Sequence, residues 1–144
     1  MIGVMRQLPP RLIARYSSGL AAVLLTGLVG FQIALAVGAP WGRAAYGGAT
    51  ERPTARMRVS SAVASVIWAL IAVVTLNRGG HRVPSVVPGR AVPVVMWIAV
   101  GLLAVGSVLN VITPSRLERM IWAPVTLVLL VSTTATELAA RRRH

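Results

Sequence analysis

The sequence predicts an all-α integral membrane protein: a four-transmembrane-helix bundle with a short interfacial helix in the first loop. Three observations carry that expectation. Of 144 residues, 56% are hydrophobic and only 12% are charged. The charges fall between long apolar blocks instead of alternating with them, as expected of a chain solvated by lipid. Four such blocks predict transmembrane helices at about residues 19–39, 59–76, 91–112 and 116–136. Each fits the roughly 17–25 residues that a helix needs to cross a hydrocarbon core about 30 Å thick. The links between them are short, and backbone polar groups cannot be left unpaired in lipid. Neighbouring helices are therefore expected to be antiparallel within one membrane domain, residues 1–144, with basic termini at 1–18 and 141–144.

In the first helix, Ala22, Thr26, Gly30, Ala34 and Gly38 recur every four residues. Such a ridge of small residues lets two helices approach closely. Gln32 is the strongly polar residue of this segment, placed at mid-depth, and at 100° per residue it points almost opposite the centre of the ridge. One feature can then face the bundle and the other a second copy or a different protein, a homo-oligomer or larger membrane complex through helix one; equally, the ridge can pack inside a monomer with Gln32 bonded to a backbone carbonyl.

The first loop begins with GAPWGRAAYGG, residues 38–48. Pro40 suits the first position of a helix and Gly47 and Gly48 suit its end. Trp41, Arg43 and Tyr46 between them have the composition of a helix lying in the headgroup layer. The second helix carries Ser61, Ser65 and Ala69 on one face, a packing signature. It should stop near Asn77, Gly79 and Gly80, before the Pro- and Gly-rich loop NRGGHRVPSVVPGR. Asn110, near the end of the third helix, is placed to hydrogen-bond a neighbour at the headgroup boundary.

The third loop, TPSRLER, reads as a capping box. Ser115 should accept from the N–H of Glu118, and the Glu118 carboxylate should reach back to the N–H of Ser115, so that the fourth helix starts at Arg116. Pro124 falls inside that helix and removes one hydrogen bond. Ser132, Thr133, Thr134 and Thr136 form a hydroxylated packing face. Glu137 lies four residues before Arg141, the spacing of an ion pair along a helix. The predicted topology puts loops one and three on the same side. Trp41, Tyr46, Glu51 and Arg52 can then meet Arg116, Glu118, Arg119 and Trp122, a patch where aromatics, both charge signs and glycine backbone converge. This patch is the candidate ligand or partner site.

Charge and composition exclude several chemistries. The formal net charge is +12, from fifteen arginines against Glu51, Glu118 and Glu137. No run of aromatics is interleaved with the arginines to stack bases, so the expected partners are membrane lipids with anionic headgroups and not nucleic acid. There is no cysteine, and the two histidines, His81 and His144, stand in a loop and at the tail, so neither a metal site nor any other cofactor is expected. With a cytoplasmic N-terminus, nine arginines fall inside and six outside, which predicts a multi-pass protein of the plasma (inner) membrane with both termini cytoplasmic. The small residues ALAVGA at 34–39 allow a signal-peptide reading, but the apolar stretch before them is longer than a signal core and lacks a compact basic start.

GAPWG followed by GG after the first membrane helix, and SRLERMIWAPV opening the last, resemble a family of small, uncharacterised four-helix bacterial membrane proteins of actinobacterial type. The resemblance covers most of the chain and implies the fold, with no activity attached.

Three function classes compete. An enzyme needs a base, a nucleophile or a metal in a cleft, and the chain has no cysteine, no aspartate and no carboxylate in the middle of a helix. A non-enzymatic role is therefore expected. In size the chain looks superficially like small multidrug-resistance transporters, which carry a membrane-embedded glutamate in their first helix. This chain has Gln32 instead, and an amide does not exchange protons. A small transporter of a lipophilic or cationic compound is accordingly the alternative. The leading expectation is a non-catalytic binding module or accessory subunit for a lipid, a lipophilic ligand or a larger membrane complex.

Overall fold

Prolines and hydroxyl caps set where the helices begin. The computed structural model describes residues 8–143, so Arg6 and His144 lie outside the described residues. The first helix, α1 (Pro10–Ala36), starts on a proline at its first position, where the missing N–H is no loss and φ is already helical. The second, α2 (Ala55–Arg78), is capped by the Thr54 hydroxyl, which accepts from the Met57 N–H at 3.3 Å. The third, α3 (Val92–Ile112), follows a 3-10 turn at Gly89–Ala91 and carries Pro93 in its first turn. The fourth, α4 (Arg116–Arg141), is capped by Ser115 and runs through Pro124 without a break.

All four helices are long and apolar enough to cross a membrane, the architecture of a small multi-pass membrane protein. Three of them extend beyond the apolar blocks. In α1 the helix begins nine residues before position 19, taking in Arg11 and Arg15, because nothing in that stretch breaks a helix once Pro10 has started it. It also stops earlier, at Ala36. Helix α2 begins at Ala55 and α4 continues to Arg141. As expected, α2 ends at Arg78, with Gly79 as its cap and Gly80 in the left-handed region (φ 86°).

The helices form a ring in which α1 packs along α2 and α4, and α3 packs along α4, while α2 and α3 touch only slightly. The core is drawn from all four: Leu25 and Leu28 of α1, Ile71 of α2, Leu103 of α3 and Leu129 of α4. A second buried cluster, Val74 with Val92 and Met96, joins α2 to α3 near the loop between them. Outward-facing Val23, Val66, Val105 and Val131 are more than half exposed, an apolar perimeter suited to lipid.

The end that carries the termini is tightly tied. Gly79 lies against α1 so closely that a Cβ there would collide with the Ser18 side chain and stand 2.8 Å from the Ala14 carbonyl. Ser17 and Thr136 hydroxyls meet at 2.8 Å, joining α1 to α4. His81, expected as a solvated loop residue, places its Nε2 3.1 Å from the Arg15 carbonyl. Glu137 is fully buried; it accepts from Arg141 Nε at 2.7 Å, the pair expected from spacing. It also takes Arg78 in a two-point contact, Nε to Oε2 at 2.7 Å and Nη2 to Oε1 at 3.1 Å, which clamps the end of α2 to α4.

Because Arg78 is largely buried, removing its partner strands a charge. Glu137→Gln is expected to lower the unfolding free energy by about 3–5 kcal/mol. Arg141→Ala, at an exposed pair member, should lower it by less than about 1 kcal/mol. Denaturant unfolding of the two variants in detergent checks the difference.

Candidate functional site

Loop one folds back on itself before it meets anything else. The Gly42 N–H donates to the Glu51 carbonyl at 2.8 Å, and a Cβ on Gly42 would collide with the Thr50 carbonyl. Tyr46 (φ 52°), Gly47 (φ 71°) and Gly48 (φ 71°) all take left-handed backbone. Three such residues in a row stop any α-helix. The expected interfacial helix is therefore two 3-10 turns, Gly42–Ala44 and Tyr46–Gly48, and Pro40 precedes them without starting a helix. The unfavourable backbone at Tyr46 is held by its hydroxyl, which donates to the Met57 carbonyl at 2.8 Å and pairs with the buried Ser61 hydroxyl of α2.

Loop one is then bonded to the start of α4. Glu118 Oε2 accepts from the Gly47 N–H at 3.0 Å and from the Thr113 hydroxyl at 2.7 Å. The Ser115 hydroxyl donates to the Arg43 carbonyl at 2.5 Å, and the Trp122 indole N–H donates to the Ala44 carbonyl at 3.1 Å. Half of the capping box holds: the Glu118 N–H donates to Ser115 Oγ at 3.1 Å. The other half does not, because Glu118 turns to the N–H that the left-handed bend presents. The Ser115 N–H goes instead to Thr113 Oγ1 at 3.3 Å.

Under this roof lies a cavity of about 210 Å³ walled mainly by α1, α3 and α4, with Trp68 as the contribution of α2. Its polar lining is Gln32, Tyr46, Asn110, Glu118 and Thr126, and its remaining aromatic lining is Phe31, Trp68 and Trp122. Phe31 and Trp122 meet with ring centroids 4.7 Å apart, tilted by 53°. Asn110 donates to Thr126 Oγ1 at 3.4 Å, the neighbour bond expected of it. Among the described residues, the Gln32 amide and Glu118 Oε1 have no hydrogen-bond partner. A larger groove of about 510 Å³ between α1 and α4 is bordered mainly by aliphatic side chains such as Leu20, Leu127 and Val131, and suits lipid chains.

The structure thus brings together Tyr46, Glu118 and Trp122 of the expected patch and adds Gln32 and Asn110. Trp41, half exposed, reaches the site only through Phe31, on which it stacks at 6.2 Å. Glu51, Arg52 and Arg116 point to the exterior and line no part of the cavity. Arg119 braces the turn by donating to the Thr113 carbonyl at 3.0 Å. Gln32 lies one turn from the end of α1 and not at mid-depth, because α1 stops at Ala36. The small-residue ridge is not a packed strip: Ala22 is buried, Thr26 and Gly30 are exposed, Ala34 is partly buried, and Gly38 sits in the turn after α1 beside the Arg58 guanidinium. Phe31, Trp68 and Thr113 were missed by sequence reasoning. The signal available for Phe31 was its position next to Gln32; lone aromatics in apolar helices gave none for Trp68.

Among the described residues, no group of three His, Cys, Asp or Glu side chains is placed to hold a metal ion. Comparisons with family models, with curated proteins and with solved structures found no match.

Ser115→Ala removes the α4 cap and the tie to Arg43 together. It is expected to lower the unfolding free energy by about 1–3 kcal/mol. It should also open the loop between positions 42 and 51 to proteolysis, which limited digestion followed by mass spectrometry reads directly.

Proposed function

We propose that this is a non-catalytic membrane binding module whose site is the cavity beneath loops one and three, and that its ligand is a lipophilic molecule arriving from the bilayer between α2 and α3. The observation that carries the reading is the convergence of an unpartnered amide and a carboxylate oxygen with aromatic side chains in this cavity. At about 210 Å³ it is smaller than the roughly 300–1,000 Å³ of pockets that enclose drug-sized ligands. That suits the head of an amphiphile whose tail stays in lipid. The absence of catalysis is part of the proposal. The hydroxyl on Glu118 belongs to Thr113, which is buried and does not line the cavity, and the Tyr46 and Thr126 hydroxyls that do line it are bonded to the Met57 and Trp122 carbonyls and not to Glu118.

A second reading, a small transporter, is favoured by the same carboxylate: Glu118 brings into the cavity the titratable group that Gln32 lacks. Placement in the inner membrane with both termini cytoplasmic, and kinship with the small actinobacterial-type family, belong to this proposal and rest on the arginine count and on the sequence resemblance.

The cavity can be filled without disturbing the fold. A Cβ on Gly106, which lines it, would meet nothing within 4 Å, and the same is true of Gly101, which faces outward. Native mass spectrometry of protein taken gently from its host membranes should show a bound small molecule on the wild type and on Gly101→Leu, and its loss on Gly106→Leu. Equal occupancy in all three would remove the cavity from consideration.

A contact through helix one is proposed as well, supported by the outward exposure of Thr26 and Gly30. Gly30→Leu also meets open space, so it should leave the fold intact while reducing the oligomer or releasing the companion protein. Mass photometry in detergent reports which, and an unchanged particle mass would count against the ridge.

A further inference from the structure

We propose that the cavity selects an organic cation, a quaternary or alkylated ammonium group on a lipophilic body; this deepens the binding-module reading and depends on it. The chain has seven aromatic residues, and four of them, Phe31, Tyr46, Trp68 and Trp122, line this single cavity. A fifth, Trp41, stacks on Phe31. Trp68 and Trp122 also pack against the main core cluster of Leu, Ile and Ala side chains, so the aromatics gather where that core borders the cavity. Ring faces carry partial negative charge and attract alkylammonium groups, which pack against them without demanding hydrogen bonds.

The charge distribution agrees. Glu51 is exposed and Glu137 is consumed by Arg78 and Arg141, so Glu118 is the carboxylate that faces the cavity. Among the described residues it forms no ion pair, although the chain carries fifteen arginines, and no arginine lines the cavity. Its Oε2 is held by Gly47 and Thr113, which fixes the carboxylate in place and leaves Oε1 without a partner. The amides of Gln32 and Asn110 add carbonyl oxygens to the same wall. An anionic ligand would meet that carboxylate with no compensating cation. A neutral one would leave it without a counter-charge.

The test compares benzyltrimethylammonium with neopentylbenzene, its uncharged carbon isostere, by tryptophan fluorescence titration of the full chain in a non-ionic maltoside. Glu118→Gln keeps an acceptor for Gly47 and Thr113 and removes only the charge. It is expected to weaken the cation about tenfold or more and the isostere less than twofold. Trp68→Leu, which leaves Glu118 untouched and serves if the first variant fails to fold, should weaken the cation about two- to fivefold and spare the isostere. Gly106→Leu should abolish both. Loss of both ligands in Gly106→Leu with no charge discrimination in either other variant would overturn the cation assignment alone. Binding unchanged by Gly106→Leu would overturn the cavity reading and the assignment with it.

Repeating the titration in phosphatidylglycerol nanodiscs with and without phosphatidylcholine separates two sources of the same chemistry. Competition by phosphatidylcholine identifies a lipid choline headgroup, and its absence a free hydrophobic cation. Either result is read only after the maltoside titration has shown charge selectivity.

Discussion

The contact between loop one and the first turn of α4 is what the rest of this end of the molecule depends on. Backbone near lipid must find its hydrogen bonds within the chain. The left-handed run Tyr46–Gly48 leaves groups that no helix can satisfy. Glu118 takes the Gly47 N–H of that run, while Ser115 and Trp122 bond the Arg43 and Ala44 carbonyls of the turn before it. Each of those side chains lies on α4 or caps it, so the loop is pinned across the top of the bundle and its inner surface, Ala44 to Tyr46, becomes a ceiling. Gly48 completes the fit: a Cβ there would lie 2.8 Å from the Ser115 Cβ.

The two ends of the ring are built on different physics. At the termini, helices are drawn together by close approach of small groups and by a buried carboxylate shared between two arginines. The buried Val74, Val92 and Met96 cluster closes α2 on α3 at the same end. Toward loops one and three that closure is missing, and Trp68 and Gly106 face across a gap. A ring clamped at one end and bridged at the other by a polar roof leaves a wedge of space near one membrane boundary. Gln32, Asn110 and Glu118 fall in that wedge because it is where side chains can remain polar without facing either lipid or tight packing.

Much of the fold was legible because lipid imposes a minimum span. Any chain crossing about 30 Å of hydrocarbon must show it as a block of apolar residues. Helix ends were less legible: arginines such as Arg11 and Arg15 mark the limit of the apolar block, yet they are good helix formers and the helix continues through them. Local spacing revealed the Glu137–Arg141 pair and the Ser115 cap, because both close within one turn. Arg78 on Glu137 and Gly47 on Glu118 join residues 59 and 71 positions apart, and nothing in a single sequence links them. Tyr46 is legible as an aromatic at the membrane boundary, but its positive φ has no sequence signature of its own, and that backbone angle is what turns the expected helix into a roof. The candidate patch was half legible for the same reason: topology puts loops one and three at one end, but it does not say that Glu51, Arg52 and Arg116 turn outward.

Access to the cavity follows from comparing the two boundaries that could open. Entry through the loops requires breaking three hydrogen bonds between loop one and α4, one of them to a carboxylate. At about 0.5–1.5 kcal/mol for a neutral bond and about 1.5–3 for one to a charged group, that is a barrier of several kcal/mol before any backbone moves. Entry between α2 and α3 breaks none of these bonds, because the cluster joining those helices lies at the far end. On the proposed binding reading, a molecule dissolved in the bilayer would pass Trp68 through that gap to reach the cavity without crossing water. The roof then acts as a rigid wall that carries Glu118 at a set position. In the proposed binding role, a ligand would be sorted by what its polar head offers that wall, while its apolar remainder stayed in the membrane.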